Sequence, residues 1–185
     1  KAGNPDMVYE FSSTSKISFA GGGISAVAAS KANLDFIKKQ FTVQTIGYDK
    51  VNQLRHVRYF KNQDGIKEQM KKQAAILRPK FEMVEKILKD ELEGLEIGSW
   101  INPKGGYFIC FETLEGCAKA VVAMAKEAGV TLTGAGAPFP YGKDPKDNII
   151  RIAPSFPTLE ELKMAAEIFV TCVKLASVDK LLENK

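Results

Sequence analysis

Two side chains in this sequence of 185 residues have surroundings suited to chemistry, Lys16 and Arg151. Lys16 is the one charge in the stretch Phe11–Ser30, FSSTSKISFAGGGISAVAAS, although charged residues make up 26% of the chain. Ser12, Ser13, Thr14 and Ser15 lead into it, and Gly21, Gly22 and Gly23 follow. Small neutral neighbours would partly desolvate the amine and favour its uncharged form, which condenses with a carbonyl to give a Schiff base. These four hydroxyls, with backbone N–H groups freed at the glycines, suit a phosphate. The same residue types also make an ordinary Ser- and Gly-rich loop with its lysine in solvent. Arg151 lies within Ile149-Ile150-Arg151-Ile152-Ala153. On a buried strand it needs an anion, and its planar fork fits a carboxylate. On the solvent face of an edge strand it needs none.

The elements that must carry these residues are readable from periodicity and punctuation. Pro5 and Asp6 mark a turn before a strand at Met7–Phe11, and Ile24–Ala29 reads as a small-residue, buried segment after the glycine turn. Ser30 is an N-cap for a helix over Lys31–Phe41, and Tyr48–Phe60 has helical potential. A long helix is expected from about Ile66 to Glu91, with Met70, Ala74, Leu77, Phe81, Val84 and Leu88 on one face. Pro79 should kink or divide it, which makes residues 75–80 a hinge. Strands follow at Leu95–Trp100 and Tyr107–Glu112, joined by the turn-rich Asn102–Gly106. A helix over 115–128 capped by Thr113 and ended by Gly129, a strand at Val130–Thr133 and a strand at Ile149–Ala153 come next. Thr158 and Glu161 form a capping box for a final helix reaching about Ser177, with Leu159, Leu162, Ala166, Phe169 and Val173 inward. Residues from about 75 onward thus form helices against a small, largely antiparallel sheet.

Composition excludes several classes. A net charge of +4, with acids interspersed among the basic residues, makes no nucleic-acid stripe. No apolar run reaches the length of a transmembrane helix. Cys110, Cys117 and Cys172 are odd in number, show no CxxC spacing and read as core residues of a reducing compartment, with no metal site. The single histidine, His56, reads as a hydrogen-bonded structural group.

The string Ser13-Thr14-Ser15-Lys16, extended to STSKISFAGGG, resembles the lysine segment of fold-type I pyridoxal-phosphate (PLP) aminotransferases. It is most similar to the aspartate aminotransferase branch grouped with MocR-type proteins. RIAPSFP at Arg151 resembles the family's C-terminal arginine segment, and Pro103-Lys104-Gly105-Gly106-Tyr107-Phe108 its small-domain hairpin. The resemblance implies that Lys16 binds PLP covalently, that Ser13 and Ser15 hold its phosphate, and that Arg151 clamps the substrate α-carboxylate. One departure is Ile24, where many relatives carry a phosphate-binding arginine.

The implied fold is α/β, PLP-dependent transferase-like: the end of the large domain with its interdomain connection over 1–65, and an α+β small C-terminal domain over 66–185, led in by the helix of 66–75. The implied activity is amino-group transfer from an acidic, aspartate-like amino acid to a 2-oxo acid, in a cytoplasmic homodimer. A PLP lyase or decarboxylase of the same fold and a PLP-sensing regulator are the alternatives. The family's ring-stacking aromatic, pyridine-binding aspartate and glycine-rich phosphate turn lie before the lysine. The chain is therefore read as a C-terminal portion, inactive alone, with 75–185 well ordered and 1–60 ordered through contacts made elsewhere.

Overall fold

The computed structural model describes residues 3–183. The chain divides between Ala74 and Ala75 into two compact units.

In the first unit, β1 (Tyr9–Ser13) and β2 (Ser25–Ala29) form an antiparallel ribbon, registered from Tyr9 opposite Ala29 to Ser13 opposite Ser25. The strand starts two residues later than expected because Pro5–Met7 is a 3₁₀ turn, capped by Asn4, whose side-chain oxygen accepts from the Asp6 N–H. Helices α1 (Lys31–Gln44) and α2 (Lys50–Phe60) follow, and each is N-capped by a side chain. Ser30 Oγ accepts from the Asn33 N–H and Asp49 Oδ1 from the Asn52 N–H.

The unit buries little. Ser18, His56 and Phe60 are its buried residues, while Phe11, Phe36, Val43, Ile46 and Val57 are exposed. β2 is exposed or half-buried along its length, against the expectation of a buried segment. A two-stranded ribbon has no second layer to cover both its faces.

Helix α3 (Gln63–Leu92) crosses the division and runs unbroken through Pro79. A proline inside a helix removes one hydrogen bond and costs about 3 kcal/mol. Burial of Val84, Leu88 and Leu92 on the turns that follow offsets that loss. Lys80, the next residue, donates to the carbonyls of Ser155 and Pro157.

The second unit is built on the antiparallel sheet β3-β4-β5: β3 (Gly98–Trp100), β4 (Ile109–Thr113) and β5 (Ile149–Ile152). Ile109 pairs with Ile152 and Phe111 with Ile150, and these four side chains are buried on one face. α4 (Ala118–Glu127) and α5 (Leu159–Glu183) supply Ala118, Val121, Phe169 and Val173 to the same core.

Thr113 does not cap α4. It ends β4, and its hydroxyl donates to the Leu114 carbonyl at 2.8 Å. Val130–Thr133 forms no strand, because the Val130 N–H is taken by the Ala125 carbonyl at 2.8 Å and closes the end of α4. Gly129 there has φ of 88°, the left-handed C-terminal position glycine favours. The capping box of α5 is formed in both directions: Glu161 Oε2 accepts from the Thr158 N–H, and Thr158 Oγ1 accepts from the Glu161 N–H. Leu159 is exposed rather than inward, and Cys110 is exposed while Cys117 and Cys172 are buried. Ahead of β5, Asp144 accepts from the N–H groups of Lys146, Asn148 and Ile149.

Phe111 is the centre of this core. It has no exposed surface, stacks on Trp100 with centroids 6.2 Å apart, and meets Phe169 edge-on at 5.1 Å. Phe111→Ala should cost about 3–5 kcal/mol of unfolding free energy. A urea titration followed through Trp100 fluorescence reads this as a lowered midpoint.

Candidate functional site

Lys16 sits on a single helical turn that leaves the end of β1. The N–H groups of Ile17 and Ser18 donate to the Thr14 carbonyl at 2.9 and 2.8 Å. The loop is closed at its other end by Ile24, which meets Thr14 through its backbone N–H and its carbonyl. Thr14 N–H donates to the Ile24 carbonyl at 2.8 Å, and Ile24 N–H donates to Thr14 Oγ1 at 2.9 Å. Lys16 is exposed, so the partial desolvation expected from its neutral neighbours is not supplied by this chain. Ser13 Oγ and Ser15 Oγ stand 2.7 Å apart, both exposed, and the Ser15 N–H donates to Ser13 Oγ at 3.2 Å. The structure thus brings the two serines together on the lysine turn.

Two of the three glycines have distinct reasons to be glycine. Gly21 has φ of 70°. At Gly23 a Cβ would stand 2.7 Å from Ser15 Oγ and 2.9 Å from Ser15 Cα. Only a bare α-carbon lets the return strand pass so close to the serine turn.

α2 holds this loop from the side. Asn52 Nδ2 donates to the carbonyls of Gly22 and Gly23 at 3.0 and 3.3 Å. Arg55 Nη2 donates to the Gly22 carbonyl at 3.3 Å and to Asn52 Oδ1 at 2.6 Å, and its guanidinium carbon lies 4.6 Å from the centroid of Phe19. His56 is buried, with Nε2 2.8 Å from Ser18 Oγ and Nδ1 2.8 Å from the Asn52 carbonyl. Phe19 and Phe60 pack against the imidazole and each other, and Tyr59 packs against both phenylalanines.

Arg151 belongs to the second unit. It pairs with Cys110 across β4–β5, on the face turned away from the core, and is half-buried. Both earlier readings of this residue are partly met. It stands on an edge strand, yet it does not lie open in solvent. The Phe108 ring lies 4.4 Å beneath its guanidinium, and Arg151 Nε is buried with no hydrogen-bond partner. A buried guanidinium N–H left unpaired costs free energy until an acceptor reaches it. That is an arrangement ready for an anion, and the fork suits a carboxylate.

Sequence reading had assigned no role to Phe108, Asn52 or Arg55, and had placed His56 only as a structural group. Pairings across 29 to 43 residues leave no trace in local periodicity. The available signal was the spacing of Thr14 and Ser18, two hydroxyls four apart that flank the lysine on one helical face.

A lysine on a Ser-rich turn closed by glycines, and a separate three-stranded α+β unit carrying an anion-ready arginine, define an aminotransferase-type fold. Solved structures agree. An aspartate transaminase from Corynebacterium glutamicum matches at TM-score 0.89 and 42% identity, over 93% of this chain and 41% of that one. An α-aminoadipate aminotransferase from Thermus thermophilus, complexed with N-(5'-phosphopyridoxyl)-L-leucine, shares the fold at TM-score 0.75 and 19% identity, over 91% of this chain and 42% of that one. All of residues 1–185 match the aspartate amino-transferase family, and the chain belongs to that family. It is 47% identical over 184 residues to a Mycolicibacterium smegmatis protein named as an aminotransferase, covering 100% of this chain and 43% of that protein. Identity to the aspartate aminotransferase of Corynebacterium glutamicum is 43%, covering 96% of this chain and 41% of that protein. The chain thus spans about two fifths of the length of the curated relatives it matches.

The close approach of Gly23 to Ser15 gives a direct test of the loop. Gly23→Ala should push the return strand off the serine turn and destabilise the first unit by about 1–3 kcal/mol, the usual cost of overpacking. Hydrogen exchange should quicken over residues 13–25 and remain unchanged over 109–113.

Proposed function

We propose that this chain is a C-terminal portion of a PLP-dependent aminotransferase that acts on an acidic, aspartate-like amino acid and a 2-oxo acid. The observation that carries the reading is the lysine turn. Lys16 is exposed beside two paired serine hydroxyls, on a loop whose Gly23 leaves no side chain between return strand and turn. These residues fit the cofactor. Lys16 Nζ would hold it covalently, and Ser13 and Ser15 would donate their hydroxyls to its phosphate. When bound, PLP supplies an electron sink for the carbanion left by loss of an α-proton.

The chain's own groups do the rest. Lys16 Nζ takes up and returns the α-proton of the amino acid. Arg151 binds the α-carboxylate through its fork and so orients the bond to be broken. Phe108 beneath the guanidinium holds its plane and keeps water from one side. With Ile24 in place of an arginine, the phosphate charge must be met by hydroxyls, backbone amides or a cation from elsewhere in the protein.

The domain reading goes with this proposal: 1–65 as the end of a large domain, and 66–185 as the small domain led in by 66–75. The exposed Phe11, Val43, Ile46 and Val57 support a homodimer or further chain covering the first unit. Three free thiols support a cytoplasmic setting. No helix among the described residues is long and apolar enough to cross a membrane. The family match favours amino-group transfer over a lyase, a decarboxylase or a sensor.

Two experiments on the full-length protein test the proposal. Borohydride reduction in the presence of PLP should fix the pyridoxyl group on Lys16, and Lys16→Ala should bind PLP only non-covalently, with no turnover. A label mapped to another lysine overturns the assignment, and release of CO₂ or ammonia in place of amino transfer overturns the reaction class. Arg151→Lys keeps the charge but not the fork. It should weaken amino-acid binding by about 1–3 kcal/mol, the scale of a charged hydrogen bond. An unchanged KM and kcat/KM would remove Arg151 from the clamp.

A further inference from the structure

We propose that His56 is a positioning residue for Lys16, acting through Ser18 and Thr14. This rests on reading Lys16 as the cofactor lysine.

The imidazole is 5% exposed and joins α2 to the lysine turn. Its Nδ1 faces the Asn52 carbonyl, which can only accept, so Nδ1 carries a proton. Its Nε2 meets Ser18 Oγ at 2.8 Å. Ser18 Oγ in turn lies 3.0 Å from Thr14 Oγ1 and 3.1 Å from the Thr14 carbonyl. Thr14 Oγ1 accepts from the Ile24 N–H, the bond that closes the loop. One buried ring therefore grips both ends of the turn on which Lys16 is the central residue. The backbone at Lys16 cannot shift without breaking a bond of this chain.

Hydrogen counting shows how the grip is satisfied. With Nε2 bare, Ser18 donates to it, and the Thr14 hydroxyl donates to the Ile24 carbonyl. With Nε2 protonated, Ser18 accepts from the ring and donates to the Thr14 carbonyl. His56 touches neither a substrate nor Lys16 Nζ in this scheme, and its effect is confined to where the amine stands.

The test uses the full-length protein and the variants Ser18→Ala, His56→Ala and His56→Gln. Ser18→Ala removes the middle link with almost no change of volume, so it remains informative if His56→Ala does not fold. Without PLP, Ser18→Ala should raise amide exchange over residues 14–24 about tenfold, the scale of one buried hydrogen bond, and leave residues 109–113 unchanged. With PLP, the rate at which borohydride fixes the pyridoxyl group on Lys16 should fall by a similar factor. kcat should fall about tenfold while KM for the amino acid stays the same. His56→Gln, which can still reach Ser18, should recover most of what His56→Ala loses.

The proposal is overturned if Ser18→Ala leaves exchange and trapping at the wild-type level. It is equally overturned if exchange rises uniformly across the first unit with trapping at Lys16 intact, since that is the mark of a residue that only stabilises. A wild-type label found on another lysine would sink the cofactor reading instead, and the exchange measurement without PLP would still decide whether His56 holds the turn.

Discussion

The hydrogen bonding between Thr14 and Ile24 is the constraint on which the lysine site depends. It joins the residue before the turn to the residue after the glycines, so the nine residues between them become a closed loop. Thr14 is half-buried and Ser18 buried, and polar groups taken from water must find partners or forfeit free energy. Every hydroxyl in this loop has one. A fully satisfied polar network tolerates few arrangements, which is how a segment of serines and glycines, flexible by composition, comes to hold one conformation.

The second unit reaches its site by a different route. There the alternation of a strand does the work. Ile109, Phe111, Ile150 and Ile152 turn to the core, and that alone sends Arg151 and Cys110 to the opposite face. Apolar packing sets where the arginine stands, and one aromatic, Phe108, sets how its guanidinium lies. The unpaired Nε of Arg151 is the residual cost of this arrangement.

The parts of this structure that were legible in the sequence are those governed by local rules. Ser30 and the Thr158–Glu161 pair are caps read from residue type and spacing, and the long α3 and α5 follow from apolar periodicity. Lys16 and Arg151 stood out because each is a charge in a run without others. Errors arose where a distant partner overruled a local signal. Pro79 sits inside an intact helix because packing beyond it outweighs one lost bond. Thr113 finishes a strand instead of starting a helix because its backbone N–H donates to the Asn148 carbonyl across from it, and its hydroxyl turns to the Leu114 carbonyl. The His56–Ser18 contact joins residues 38 apart, and no window along the chain could register it.

The loop ahead of β5 has a consequence in acid. Burial pushes the Asp144 carboxyl upward, but the N–H groups of Ile149, Asn148 and Lys146 outweigh it and hold the group below the ordinary carboxylate value. A carboxylate so lowered stabilises the fold at any pH above its unfolded value and gives that up only as pH falls through its folded value. The strand that carries Arg151 is thus moored by an anion that keeps its charge into acid more stubbornly than a free amino-acid side chain would. As the solution is acidified, this mooring should outlast the ionisation of ordinary exposed carboxylates on the same unit.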